Sequence, residues 1–133
     1  MMSYVVDASA AVEYLLRTRL GRKIAEIVDE ADLLAPALMD VEVVSVLRRA
    51  VLDKGLAESR AALALDDLVA WPVGRIAHAQ LVREAWRHRH NASAYDAFYI
   101  AAAQVYGVPL LTADGPLSRT PGVGVVVHNV RIA

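Results

Sequence analysis

Asn91-Ala92-Ser93-Ala94-Tyr95-Asp96-Ala97-Phe98-Tyr99-Ile100-Ala101-Ala102-Ala103 reads as a helix that is apolar on nearly every side, with one carboxylate, Asp96, in its first turn. A helix of that kind has to be covered on several sides, so it belongs in a protein interior. On a 3.6-residue wheel Asp96 shares its face with Tyr99, Ile100 and Ala103. An acid on such a face loses solvation, which is costly unless something pairs with it. A plain structural account exists: Ser93 followed three residues later by Asp96 resembles a capping box, although that motif prefers Glu or Gln, and acids suit the start of a helix. Asp96 gains weight because other acids stand at similar junctions.

Downstream, Gly107 supplies a stop, and Val108-Pro109-Leu110-Leu111 leads as a short apolar strand into Thr112-Ala113-Asp114-Gly115-Pro116. Gly122 and Gly124 precede Val125-Val126-Val127, which reads as a last strand. Upstream, Ile76 to His90 reads as one helix ending in Arg83, Arg87, His88, Arg89 and His90. Cations near a helix C-terminus follow from the dipole alone, yet this cluster immediately precedes the Asp96 helix and is placed to meet a phosphate. The four histidines have no metal-site spacing.

At the start of the chain Tyr4-Val5-Val6 is a β-branched apolar run ending at Asp7-Ala8-Ser9, as a buried parallel strand and its turn would. Ser9 is positioned to cap a helix whose stripe is Ala11, Val12, Leu15 and Leu16. A second helix is expected over Leu20–Glu30, then a strand at Leu33-Leu34-Ala35 closed by Pro36, which suits a helical first turn. The helix from Pro36 to Leu52 would carry Leu38, Val41, Val44, Leu47 and Val51 inward. Asp40 there reads as solvated, whereas Glu42 projects beside Leu38, Met39 and Val46. Lys54-Gly55 ends this helix, Ala57 to Ala70 forms another with Asp66-Asp67 on a solvated face, and Trp71-Pro72-Val73 reads as an edge segment. Strands alternating with helices argue for an α/β fold around a mostly parallel sheet.

A chain of 133 residues can bury one good core, and one domain is expected. No apolar run approaches a membrane span, and charges at Glu13, Arg17 and Arg19 break the N-terminal apolar stretch, so neither a membrane segment nor a signal peptide is expected. Without cysteine there is no disulfide framework or thiolate metal site. A soluble, cytoplasmic protein is the simplest account. A formal net charge of -1 excludes bulk-charge gripping of nucleic acid but leaves room for a local basic patch.

Asp7 and Asp114 end strands, and Asp96 and Glu42 lie near helix starts facing those ends. In a parallel sheet such positions share one edge. Two unit charges about 5 Å apart cost roughly 3 kcal/mol at an effective dielectric near 20, so four carboxylates there would strain a domain of ordinary stability. A hard divalent cation relieves this, and all-oxygen ligation favours Mg²⁺ or Mn²⁺ over zinc.

Taken in order, Val5-Val6-Asp7-Ala8-Ser9, Pro36 to Glu42, Ser93-Ala94-Tyr95-Asp96-Ala97-Phe98-Tyr99-Ile100-Ala101 and Leu111-Thr112-Ala113-Asp114-Gly115-Pro116-Leu117 resemble the motifs of PIN-domain proteins, specifically the VapC-type toxin ribonucleases of toxin–antitoxin pairs. The resemblance covers essentially the whole chain, residues 1–133, as a single PIN domain. It implies a three-layer α/β/α fold and a Mg²⁺- or Mn²⁺-dependent endoribonuclease. Asp7, Glu42, Asp96 and Asp114 match the family's acidic quartet, Asp7 and Asp96 as principal ligands, and Ser9 and Thr112 match polar positions that arrange the site. Implied partners are an RNA substrate, of which tRNA and rRNA are the natural candidates, a VapB-type antitoxin and a second copy in a homodimer. Arg87 and Arg89 are candidates for contacting the RNA backbone, because the acidic pocket needs cations outside it. The rivals are an Asp-dependent phosphatase, whose second acid is here Ser9; a receiver-type domain, which would need an acid pair and a late lysine; and a non-catalytic PIN-like scaffold.

Overall fold

Val5 and Val6 are both fully buried. Neighbouring strand residues point to opposite faces, so the strand that carries them is covered on both sides. The computed structural model describes residues 2–114, Leu117 and residues 127–129. In it β1 (Ser3–Val6) is the middle of a five-stranded sheet, with β2 (Asp32–Pro36) and β3 (Gly74–Ile76) on one side and β4 (Leu110–Thr112) and β5 (Val127–Asn129) on the other. Every pairing is parallel; Val5 stands opposite Leu34 in β2 and Leu110 in β4. The chain builds outward from β1 to β3, then returns to β4, so the winding reverses between β1 and β4. Open α/β sheets bind their ligands at that reversal, beyond the carboxyl ends of the strands.

Helices α1 (Ala8–Leu16), α2 (Arg19–Val28), α3 (Leu38–Leu52) and α4 (Glu58–Ala70) pack on one another, whereas α6 (Ala94–Tyr106) lies against β1, β2 and β4 with the short α5 (Val82–Trp86) outside it. Sheet and flanking helices make the expected three-layer α/β/α arrangement. α6 buries Ala97 and the whole run Tyr99–Ala103, as the all-round apolar reading requires. It is capped by Ser93, whose hydroxyl oxygen accepts the Asp96 amide at 3.2 Å, and ends at Gly107 in the left-handed region (φ 64°). The turn between α1 and α2 is tight: Thr18 caps α2, and Gly21 brings its backbone against the Glu13 carbonyl where a Cβ would lie only 1.9 Å away. No helix among the described residues is long and apolar enough to cross a membrane.

Several local expectations differ from the structure. Pro36 ends β2, paired with Ile76, and α3 starts at Leu38, because the strand continues for one more residue before turning. The buried stripe of α3 is Met39, Val43 and Leu47; Val41 and Val44 are exposed. A helix with valines on several sides has no unique apolar face in sequence, and packing against α1, α4 and β2 chooses one. Left-handed backbone after α3 occurs at Lys54 (φ 61°), not Gly55. The edge strand follows Trp71-Pro72-Val73 instead of containing it. Ile76–His90 is not one helix: Ile76 belongs to β3, His78–Gln80 form a 3-10 turn and α5 spans five residues. Ser9 does not cap α1; Asp7 does, by accepting the Ala10 amide at 3.0 Å. Asp40 is not merely solvated but pairs with Arg75 at 3.0 Å, and Arg75 also donates to the carbonyls of Leu68, Trp71 and Val73. Asp67 pairs with Arg17 at 3.2 Å. β5 begins at Val127, the last residue of its expected span; residues 122–126 lie outside the described residues.

Candidate active site

Asp7 follows β1 directly and is 4% exposed, an unusual depth for an acid. Its position is explained by what it accepts. Oδ1 takes the Ala10 amide at 3.0 Å and the Ser9 hydroxyl at 2.7 Å, and Oδ2 takes the Thr112 hydroxyl at 2.5 Å. Those hydroxyls are themselves aimed by backbone: the Ala113 amide donates to Ser9 Oγ and the Asp114 amide to Thr112 Oγ1, each at 2.9 Å. Each hydroxyl has one proton, and both protons go to Asp7. Burial nevertheless outweighs these three bonds and, with the charge of Asp114, pushes the Asp7 carboxyl up to about 6.

The other acids approach from different elements. Glu42 and Asp96 are partly buried, Glu42 in the second turn of α3 and Asp96 in the first turn of α6, and Asp114 stands two residues beyond β4. Burial raises the Asp96 carboxyl, helped by the charge of Asp114; burial also raises Glu42, helped by the charge of Asp96. Asp7, Glu42, Asp96 and Asp114 are thus electrostatically linked in a chain that runs across the reversal between β1 and β4. The structure sets each acid within electrostatic reach of the next, with Ser9 and Thr112 bonded to Asp7.

Tyr99 has a polar partner that the sequence alone did not assign. Its phenol is buried beside Asp96 on the inner face of α6 and donates to Glu42 Oε1 at 2.5 Å. Burial is the main reason its ionisation is pushed far up, with Glu42 and Asp7 adding to it. The available signal was a tyrosine within an alanine-rich buried helix, since a buried phenol needs a hydrogen-bond partner.

Four carboxylates form a donor set of oxygen only, which matches a hard divalent cation. Asp7 retains a lone pair on Oδ2 and Glu42 retains Oε2. Among the described residues no three acids or histidines are already closed to metal-holding geometry, so a cation would be bridged in part by water or would draw the acids inward.

Arg87 and Arg89 lie elsewhere. Together with Arg83, Trp86 and Phe98 they line a groove of about 930 Å³ between α5 and the outer face of α6, roughly opposite Asp96 around that helix. Arg87 faces Glu84 at 3.7 Å, and Arg89 lies over the Trp86 ring at 5.0 Å. His88 is buried against Gln104 at 2.8 Å and is structural.

The parallel sheet that reverses beside the buried strand-end Asp7 fits the PIN-domain resemblance of the sequence motifs. Residues 4–123 match the family described as PIN domain. Ribonuclease VapC1 of Mycobacterium tuberculosis is 39% identical over 129 residues, 96% of this chain and 97% of the relative. The crystal structure of Mycobacterium tuberculosis VapC20, described as a sarcin-ricin loop cleaving toxin, matches with a TM-score of 0.66 at 19% identity, covering 92% of this chain and 96% of that one. VapBC2 from Rickettsia felis, solved bound to a promoter DNA fragment, matches with a TM-score of 0.61 at 11% identity, covering 96% and 98%. This chain belongs to the PIN-domain family and, within it, to the VapC group.

Proposed function

We propose that this protein is the toxin of a toxin–antitoxin pair, an endoribonuclease that uses Mg²⁺ or Mn²⁺ held by Asp7, Glu42, Asp96 and Asp114. The observation that carries the reading is the buried, triply hydrogen-bonded Asp7, with the charge of Asp114 raising the proton affinity of both Asp7 and Asp96. Such a cluster is stabilised by a cation. Identity of 39% over nearly the full length to a protein named a ribonuclease supports the activity.

Each residue has a part. Ser9 and Thr112 fix the rotation of Asp7 so that the free lone pair of Oδ2 faces the cleft. Asp96 and Asp114 face Asp7 from α6 and from beyond β4, and Glu42 closes the remaining side. When bound, the cation supplies a Lewis acid for the scissile phosphate and lowers the pKa of a bound water. A protein nucleophile is unnecessary. The substrate is RNA, with tRNA and rRNA as the first candidates. The partners are a VapB-type antitoxin, supported by the fold match to a VapBC assembly, and a second copy of the chain, for which exposed Val41, Val44, Leu52 and Trp86 offer apolar surface.

The test is cleavage of a total tRNA and rRNA pool by purified, partner-free protein, with Mg²⁺ or Mn²⁺, with EDTA, and with Asp96→Asn. Discrete fragments that disappear with EDTA and with the variant are expected. Fragments that persist in Asp96→Asn overturn the site assignment, and no cleavage by folded, metal-loaded protein favours a binding scaffold.

A further inference from the structure

The phenol oxygen of Tyr99 links two acid-bearing helices. It donates to Glu42 Oε1 at 2.5 Å from a position three residues beyond Asp96 on the same face of α6, and the charge of Asp7 also acts on it. The side chain is 2% exposed, so the ring is fixed by packing and its oxygen has little freedom. Glu42 is different: it is partly exposed, on a long side chain that would otherwise sample several rotamers.

We infer that Tyr99 is a positioning residue of the acidic site, engaging one oxygen of Glu42 and leaving the other to face the metal. The inference rests on the metal-dependent reading above and goes beyond it by naming how Glu42 is held. A carboxylate with Oε1 engaged by a buried phenol is held in one orientation and presents Oε2 as its open oxygen, directly or through water. The same phenol ties α3 to α6. The position of Glu42 is therefore set through one rigid aromatic side chain instead of by a flexible acid alone.

Tyr99→Phe keeps the ring and removes only the oxygen, which separates positioning from packing. The measurement is Mn²⁺ affinity, read from the free-ion electron paramagnetic resonance signal, on wild type, Tyr99→Phe, Glu42→Gln and the double variant, with circular dichroism to check folding. Loss of a group that orients a metal ligand weakens metal binding by about tenfold to a hundredfold. Tyr99→Phe is expected to fall in that range, and in the Glu42→Gln background its removal is expected to have no further effect, because it acts through Glu42. Glu42→Asp, which withdraws the carboxylate from an unaltered phenol, is expected to weaken binding similarly and serves if Tyr99→Phe does not fold. Wild-type affinity in Tyr99→Phe, or in Glu42→Asp where that variant has to serve, overturns the inference. So do effects that multiply in the double variant. A wild-type protein that takes up no Mn²⁺ fails in the first titration and overturns the metal reading along with it.

Discussion

The hydroxyl oxygens of Ser9 and Thr112 lie 3.3 Å apart and give their protons to opposite oxygens of the same carboxylate. Neither hydroxyl donates to the other, because each proton is already committed to Asp7. The two residues come from α1 and β4, so the bonds that orient Asp7 also fasten the two strands between which the sheet reverses. Removing either donor acts on both the site and the fold.

Thr112→Val keeps the shape of a fully buried side chain and deletes its hydroxyl. It takes one hydrogen bond from Asp7 and leaves the Asp114 amide without its acceptor. A cost of about 1–3 kcal/mol in urea unfolding is expected. The deleted bond was holding the Asp7 carboxyl down, so the acidic limb of the cleavage rate should also move to higher pH. An unmoved limb would show that Thr112 serves packing alone.

Asp7 is pushed up to about 6 from an ordinary value of 3.8. A raised carboxyl binds its proton more tightly in the folded state. Its contribution to stability is complete below the unfolded value and is lost as pH rises through the folded one, by about 3 kcal/mol in the metal-free protein. Asp96 and Glu42 shift in the same direction. In EDTA, Asp7→Asn should therefore be more stable than wild type at pH 7.5, with the gap closing toward pH 4. Urea titrations of both proteins at several pH values measure it. With Mn²⁺ present, wild-type affinity should fall as pH drops below about 6, since protons then compete for Asp7.

Gly21 is required by close approach, not by backbone angle. Any Cβ there meets the Glu13 carbonyl at 1.9 Å, and neither backbone moves cheaply. Gly21→Ala should cost about 2–4 kcal/mol through forced separation of α1 and α2. Gly107→Ala, where the difficulty is only φ 64° with open space around it, should cost about 1 kcal/mol. Denaturant midpoints of the two variants test the order.

Arg87 and Arg89 border a groove that also contains an exposed aromatic ring, Trp86. In an Asp96→Asn background, chosen because the proposed site assignment makes it non-cutting, the variant Arg87→Ala/Arg89→Ala should bind RNA more weakly. Its salt dependence should fall by about 0.7 in log–log slope for each phosphate that is no longer neutralised. Mn²⁺ affinity should stay unchanged. An identical salt slope would remove both arginines from the RNA path.

What sequence revealed here depended on how local the cause was. Asp7, Asp96 and Asp114 stood out because each follows a strand or opens a helix, and those junctions leave local marks in Val5-Val6, Ser93 and Leu110-Leu111. Glu42 was legible from its apolar neighbours, although the face of α3 was assigned to Val41 and Val44, which are exposed. Helical periodicity cannot choose among several valine stripes when the deciding surfaces are the neighbouring helices α1 and α4. The break of Ile76–His90 has the same origin, since Ile76 is claimed by pairing with Pro36. Tyr99 was placed on the right face without its partner, because a hydrogen bond spanning 57 residues leaves no local trace.

The hydrogen bond from Thr112 to Asp7 joins positions 105 residues apart. A polypeptide leaves the ribosome from its N-terminus, so Asp7 emerges early and waits for almost the whole chain before its orienting hydroxyl exists outside the tunnel. Until then β1 lacks one of its two neighbouring strands, and Asp96 and Asp7 lack the charge of Asp114. On the proposed nuclease reading, the unfinished chain has yet to assemble its site while it is still beside the RNA of the ribosome. The site is complete only when β4 pairs with β1, and chains abandoned before that point carry three of the four acids without the hydroxyl that orients Asp7.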